Sequence, residues 1–210
     1  MLADWTAECS ADAPTLVVPW HDPAGTAHFV DLRANPYDIA EIPEAEHFPA
    51  LGRALRALNA TRSPLLTAKC DAWPLSAASH PDELDSLRLQ LDLDPEAVHF
   101  GFASYIDILW RERTLFASSH RQQDQLDRIT RRAQKLPHAE ASLECVLRPA
   151  VLDLAGALPG PAEGYAVTLY ITALAPDPDT ATARWTAALE DLVHLLRSRD
   201  LEPTRGSATI

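Results

Sequence analysis

The chain has 210 residues and a formal net charge of −12, from 18 Lys and Arg against 30 Asp and Glu. Contacts between phosphates and basic side chains supply most non-specific nucleic-acid affinity, so this balance argues against nucleic-acid binding. Hydrophobic residues make up 47% of the chain and charged residues 23%, which is typical of a globular protein with a sizeable core. The longest uncharged stretch of the C-terminal half, residues 164–176, is too short to span a bilayer as a helix.

The N-terminus and the cysteines indicate a reduced, cytoplasmic setting. Residues 1–14 have neither the basic nor the apolar region of a secretory signal, so we expect a cytoplasmic protein without a membrane partner. Cys9, Cys70 and Cys145 are odd in number and form no CxxC motif, which argues against disulfides and against a zinc site. Cys70 and Cys145 occur on the apolar side of predicted strands and are expected to be buried thiols.

The N-terminal part, residues 1–62, predicts a strand–strand–helix unit. Its elements cover residues 15–20, 27–33 and 50–59. The strands are joined by a turn with Asp-Pro and Gly, and the helix has apolar residues at helical spacing. We expect this unit either to extend the main sheet or to form a flanking layer.

The remainder, residues 63–200, predicts a ββαββα core, followed by a polar tail at residues 201–210. The predicted strands cover residues 65–73, 98–110, 142–154 and 164–174. The predicted helices cover residues 81–91, 112–136 and 180–199. Leucines alternate with other residues at positions 87–93, so a strand remains an alternative to part of the first helix. The second helix has its apolar stripe interrupted near Gln122, which indicates a kink or a polar contact.

Short connections between neighbouring strands favour antiparallel pairing. The sequence therefore predicts an α+β fold in a single domain. Its predominantly antiparallel sheet would be built from three ββα units, with the helices mainly on one face.

The predicted sheet centres on residues 98–110, where apolar and polar positions alternate. Phe102, Ile106 and Ile108 fall on one side, with Ser104 as an exception, and His99, Tyr105 and Asp107 fall on the other. Because a strand alternates its faces with period two, one face should be covered by helices and the other should be polar. The predicted core comprises Phe102, Ile106, Cys145, Val167, Leu169, Trp185, Leu189 and Leu192.

Extending the alternation to the neighbouring strands gathers mixed polar side chains on the second face. The candidate ligand-binding residues are Lys69, Asp71, Trp73, Tyr105, Asp107, Glu144, Arg148 and Tyr170. The same alternation assigns Leu66 and Ala68 to the apolar face and Thr67 to the polar face. One face of an antiparallel sheet commonly meets water, and these residues can be read in that way. Convergent charges among aromatic rings are also typical of a site for a small polar ligand.

A cover over this face would favour the site, because buried charges must be paired or hold a ligand. The loop at residues 35–49 and the helix that follows it are the material for such a cover.

No motif in the sequence fixes a reaction, and GxSxG, Walker A, GxGxxG and HExxH patterns are absent. The acidic cluster around His47 can be explained by the helix that follows it, so no metal or other cofactor is expected. We therefore favour a binding or regulatory module for a small polar or anionic metabolite. The alternatives are an enzyme with Asp71 or Asp107 as general base beside Tyr105 or Lys69, and a homodimer that uses the polar face without a ligand.

Overall fold

The computed structural model describes residues 1–22, 24–25, 27–94, 100–154 and 162–198. Within these ranges it has an α+β architecture with one six-stranded sheet. The strands are β1 (Leu2–Ala7), β2 (Leu16–Val18), β3 (Leu65–Ser76), β4 (Phe100–Trp110), β5 (Ala141–Leu152) and β6 (Ala162–Ala175). The helices are a 3-10 helix (Pro36–Glu41), α1 (Pro43–His47), α2 (Pro49–Asn59), α3 (Pro81–Gln90), α4 (Arg113–Phe116), α5 (Ser119–Ala133) and α6 (Pro178–Leu196). Val98 and His99 of the predicted central strand, and the predicted tail, lie outside the described residues.

The sheet is mixed, with the strand order β1-β5-β6-β4-β3 and with β2 also beside β5. Strand β4 is antiparallel to both β3 and β6, and β5 is antiparallel to β6. Strands β1 and β2 both run parallel to β5. The prediction of a predominantly antiparallel sheet was therefore wrong, because it considered only strands joined by short connections.

The threefold ββα repeat is not found, because the N-terminal unit is built differently. Residues 27–33 form no strand, and His21 and His28 make only an isolated bridge. Leu2–Ala7 has no strong strand pattern in its sequence, but it pairs with β5. The Trp5 indole also donates a hydrogen bond of 2.7 Å to Asp127 of α5. The N-terminal unit thus extends the main sheet, at the edge of β5.

Helices α2, α5 and α6 cover one face of the sheet and enclose the main hydrophobic core. All eight predicted core residues belong to this cluster and are buried, so that prediction is confirmed. Ser104 interrupts the apolar side of β4 because it receives a hydrogen bond of 2.8 Å from the indole of Trp185. A buried indole N–H needs such a partner.

The long helix predicted at residues 112–136 is broken into α4 and α5. The Ser118 side chain caps α5 by accepting a hydrogen bond from the Arg121 amide. The buried amide of Gln122 donates hydrogen bonds to the carbonyl oxygens of Phe116 and Tyr165, at 3.1 and 2.8 Å. The interrupted stripe in the sequence therefore marks a polar contact to β6, and a polar contact was one of the two alternatives that the sequence left open.

Two small apolar clusters cover the ends of the opposite face. One includes Val18, Leu66, Leu109 and Phe116, and the other places Leu84 of α3 against Leu75, Ala103 and Leu174. Polar residues of four strands occupy the space between the clusters, and we call this region the polar window. Its members are Lys69, Asp71, Tyr105, Asp107, Glu144, Arg148, Thr168 and Tyr170.

A β-bulge in β3 changes which side chains face the window. Thr67 is opposite Ile108 and Cys70 is opposite Ile106, so Ala68 and Lys69 share the place opposite Asp107. Because of the bulge, Leu66 and Ala68 pack in the cluster beside the window, and Thr67 bonds to Asn59 of α2 on the helix-covered face. The faces predicted for Leu66, Ala68 and Thr67 were wrong, since strict alternation cannot pass through a bulge.

Candidate functional site

Strand register brings the polar window together from β3, β4, β6 and β5. Asp71, Tyr105, Tyr170 and Glu144 form one row across these strands, each residue opposite the next. Asp107 and Thr168 are opposite each other in the adjacent row. Side chains directly opposite each other in a sheet are close enough to interact, so the rows form a continuous polar surface.

Asp107 is the most enclosed acid of the window, with 7% of its surface exposed. Its Oδ1 accepts a hydrogen bond of 2.6 Å from the buried hydroxyl of Thr168. Burial raises the pKa of Asp107, and this effect outweighs the Thr168 hydrogen bond and the charges of Arg148 and Lys69, which lower it. The carboxyl group of Asp107 therefore loses its proton less readily than that of an exposed aspartate.

Two cationic side chains flank Asp107. The Arg148 Nε donates to Glu8 at 3.0 Å, while its two terminal nitrogens are 3.4 Å from the Thr168 hydroxyl and 3.5 Å from the Tyr170 hydroxyl. These last distances are at the limit of a hydrogen bond, so the terminal nitrogens retain donor capacity.

Lys69 is the second cation, and its ammonium is 5.2 Å from the centre of the Trp20 ring. Among the described residues it has no hydrogen bond or ion pair. The Trp20 indole also donates a hydrogen bond of 2.9 Å to the carbonyl oxygen of Ala68, in the bulge. Trp20 thus contacts both the backbone and the charge at this point of β3.

Aromatic rings form the centre of the window. Tyr105 is 6.3 Å from Trp73 and 6.1 Å from Tyr170, measured between ring centroids. Burial, followed by the charges of Asp107 and Asp71, raises the pKa of Tyr105. Tyr105 is therefore neutral at physiological pH and can act as a hydrogen-bond donor.

A cavity of about 260 Å³ opens over part of the window. The predicted site residues that line it are Lys69, Tyr105, Asp107, Arg148 and Tyr170. Three others lie outside it: Asp71 lines a neighbouring cavity, Trp73 packs beside Tyr105, and Glu144 is exposed at the far end of the row. Burial and the charges of Asp4 and Glu8 raise the pKa of Glu144.

One wall of the smaller cavity comes from residues that the sequence analysis did not place at the site. Pro14, Thr15 and Leu16 form this side of its wall. Helix α2, which was expected to be part of the cover, packs instead in the main core on the other face. The loop at residues 35–49 contributes Glu41–Glu44 to the neighbouring cavity.

Sequence reasoning also missed three residues that shape the site: Thr168, Glu8 and Trp20. Thr168 is two residues before Tyr170, so alternation along β6 was the available signal for its face, whereas its place opposite Asp107 depends on the strand register. Glu8 and Trp20 gave no signal, because each reaches the window from a segment distant in sequence.

The described residues contain no group of three or more His, Cys, Asp or Glu side chains that could hold a metal ion. Burial, with smaller contributions from Glu44, Asp71 and Asp107, raises the pKa of Cys70 to about 12. Burial likewise raises the pKa of Cys145. Neither thiol is therefore disposed to act as a nucleophile at neutral pH. None of the helices in the described ranges is long and apolar enough to cross a membrane.

Comparison with protein-family models, with curated proteins and with solved structures found no match to this chain.

Proposed function

We propose that the protein is a small-molecule binding or regulatory module, and that its ligand carries a negative charge that lies between Lys69 and Arg148. The observation that carries this proposal is the pair of incompletely engaged cations in one cavity. The Lys69 ammonium lies over the Trp20 ring, and the terminal nitrogens of Arg148 make only long hydrogen bonds, to the hydroxyl groups of Thr168 and Tyr170. A guanidinium with two donors in one plane is well suited to a carboxylate or a phosphate.

The other groups in the cavity are compatible with an anion. Among the described residues, Asp107 is the one acid of this wall, and its carboxyl is already engaged by the hydrogen bond from Thr168. Tyr105, Tyr170 and Thr168 offer hydroxyl groups that can donate to the same ligand. The wall itself has two positive charges and one negative charge, and Glu8 pairs with Arg148 from outside it.

A thermal-shift screen against small organic anions, neutral compounds and cations tests the proposal. A ligand at about 100 times its Kd should stabilise the folded protein by about 2.7 kcal/mol. Anions should raise the unfolding midpoint, and Lys69→Met or Arg148→Met should weaken their binding roughly tenfold or more, because a charged hydrogen bond contributes about 1.5–3 kcal/mol. Arg53→Met is the matched control, since Arg53 makes an exposed pair with Glu190 on α6. Equal binding by the three variants, or no response to any anion, would contradict the proposal.

Asp107 supports a second candidate function, an enzyme that uses acid–base chemistry. A buried carboxyl with a raised pKa, in a cavity beside a lysine and a tyrosine, is a typical general acid or base. Incubation with each anion that binds, followed by mass spectrometry, tests this candidate. Conversion by the wild type that is lost in Asp107→Asn would favour the enzyme, and complete recovery of every compound unchanged would favour the binding module.

A homodimer that pairs the polar faces of two copies is less favoured by the geometry. The two apolar clusters stand at the ends of this face and leave a concave window between them. Face-to-face packing of sheets buries complementary apolar side chains, whereas this window would bury charges.

A further inference from the structure

A second cavity adjoins the first and shares part of its wall. It has a volume of about 500 Å³ and lies along β3, next to residues 20–22, residues 27–32 and Glu41–Glu44. Lys69 and Tyr105 line both cavities. A ligand held at Lys69 therefore has the larger cavity directly beside it.

The two volumes suit different parts of one ligand. Cavities that hold small molecules usually measure about 300–1,000 Å³. The smaller cavity, at about 260 Å³, is just below this range and can take a charged group with few further atoms. The larger cavity is well within the range.

The walls of the two cavities also differ in chemistry. Apolar residues form about half of the wall of the larger cavity, a greater share than in the smaller one, and they include Trp20, Val30, Leu32, Ile42 and Leu55. Such a wall favours hydrocarbon, because each buried apolar group gains transfer free energy.

Acids at the larger cavity limit what its occupant can carry. Glu41, Glu44 and Asp71 belong to its wall, and Glu41 is 3.4 Å from His28. The negative charges of Glu44 and Asp71 contribute to the high pKa of Cys70, a thiol in the same wall. A second anionic group placed here would be repelled for the same reason.

We propose that the ligand is an elongated organic anion with its single negative charge at one end. The charge lies between Lys69 and Arg148, and the apolar body lies in the larger cavity against Trp20, Val30 and Ile42. This inference rests on the proposed anion site and adds the class of ligand that the site takes.

A series of simple probes separates the inference from the proposed function. The probes are acetate, hexanoate, 4-phenylbutyrate and the dianion suberate, titrated into the full chain by calorimetry. We expect affinity to rise from acetate to hexanoate by roughly fourfold for each methylene that becomes buried. We also expect suberate to bind more weakly than hexanoate.

The possible results have distinct meanings. If hexanoate and acetate bind equally well and Arg148→Met weakens both, the proposed anion site stands and the inference fails. If suberate binds more tightly than hexanoate, the restriction to one charge fails. If no probe binds, both proposals fail.

Variants that fill the larger cavity provide the second test. Val30→Phe and Ile42→Phe should bring the affinity for hexanoate and 4-phenylbutyrate close to that for acetate, while the acetate affinity stays unchanged. Val17→Phe is the control, because Val17 is 51% exposed and lines neither cavity. The unfolding midpoint of each variant shows whether it folds. If one variant fails to fold, the other still tests the inference. Unchanged affinity for the long probes in a folded variant would overturn the inference.

Discussion

Thr168 donates a hydrogen bond of 2.6 Å to Asp107, and the two residues are opposite each other on β6 and β4. Both side chains are buried, with 3% and 7% of their surfaces exposed. This pair lines the cavity of the polar window together with the cations Lys69 and Arg148. An ionised carboxyl in such a place costs stability, and functional sites commonly carry a cost of this kind.

The pH dependence of stability should reveal this cost. The folded pKa of Asp107 is above its ordinary value of 3.8, so ionisation disfavours the folded state. The loss of stability is absent below pH 3.8, grows as the pH rises towards the folded pKa, and is constant above it. We therefore expect Asp107→Asn to increase the free energy of unfolding at pH 7, with the advantage shrinking as the pH falls towards 3.8.

Urea unfolding between pH 3.5 and 7 measures this difference. Asp12→Asn, at an exposed position, is the control and should show no comparable gain. A less stable Asp107→Asn protein at pH 7 would mean that Lys69 and Arg148 stabilise the charge more than burial opposes it.

Trp20 should affect stability through the bulge of β3. Trp20→Phe removes the hydrogen bond to the Ala68 carbonyl oxygen but keeps an aromatic ring near Lys69. We expect it to lower the free energy of unfolding by about 0.5–1.5 kcal/mol, the net contribution of a typical hydrogen bond. Trp20→Leu also removes the cation–π contact and should cost about 0.5–1 kcal/mol more. Equal stability of the two variants in urea would show that the ring does not hold Lys69.

The main core gives a prediction that is independent of the window. Leu169 is 1% exposed at the centre of the cluster beneath α5 and α6. Truncation of a fully buried leucine typically costs about 2–5 kcal/mol, so Leu169→Ala should lower the unfolding midpoint clearly. Val17→Ala, at an exposed strand position, should change stability by less than about 0.5 kcal/mol. Equal midpoints for the two variants would contradict the face assignment of β6.

The parts of the fold that the sequence predicted correctly depend on local patterns. In β4 and β6, apolar residues recur at every second position. In α2 and α6 they recur at every third or fourth position. These patterns are clear enough to identify each element and its buried side. All eight candidate site residues lie on the polar face, as this alternation predicted, with Glu144 at its exposed end.

The parts that it missed depend on contacts between distant segments. Leu2–Ala7 becomes a strand because β5 offers an edge to it, and its own six residues carry no strong strand signal. The bulge at Ala68 and Lys69 is fixed by Trp20, which is 48 residues away in sequence. The cavity wall at Pro14–Leu16 likewise follows from the pairing of β2 with β5, which no local pattern indicates.

Mapping the position of a bound probe on the protein tests directly whether an anion binds between Lys69 and Arg148. Amide chemical shifts of the ¹⁵N-labelled protein are followed while hexanoate is added, with Arg148→Met as the comparison. We expect the largest changes at residues that line the two cavities, among them Lys69, Arg148 and Trp20, and we expect these changes to be greatly reduced in the variant. Largest changes elsewhere, for example around the separate cavity at His138 and Arg184, or equal changes in both proteins, would contradict it.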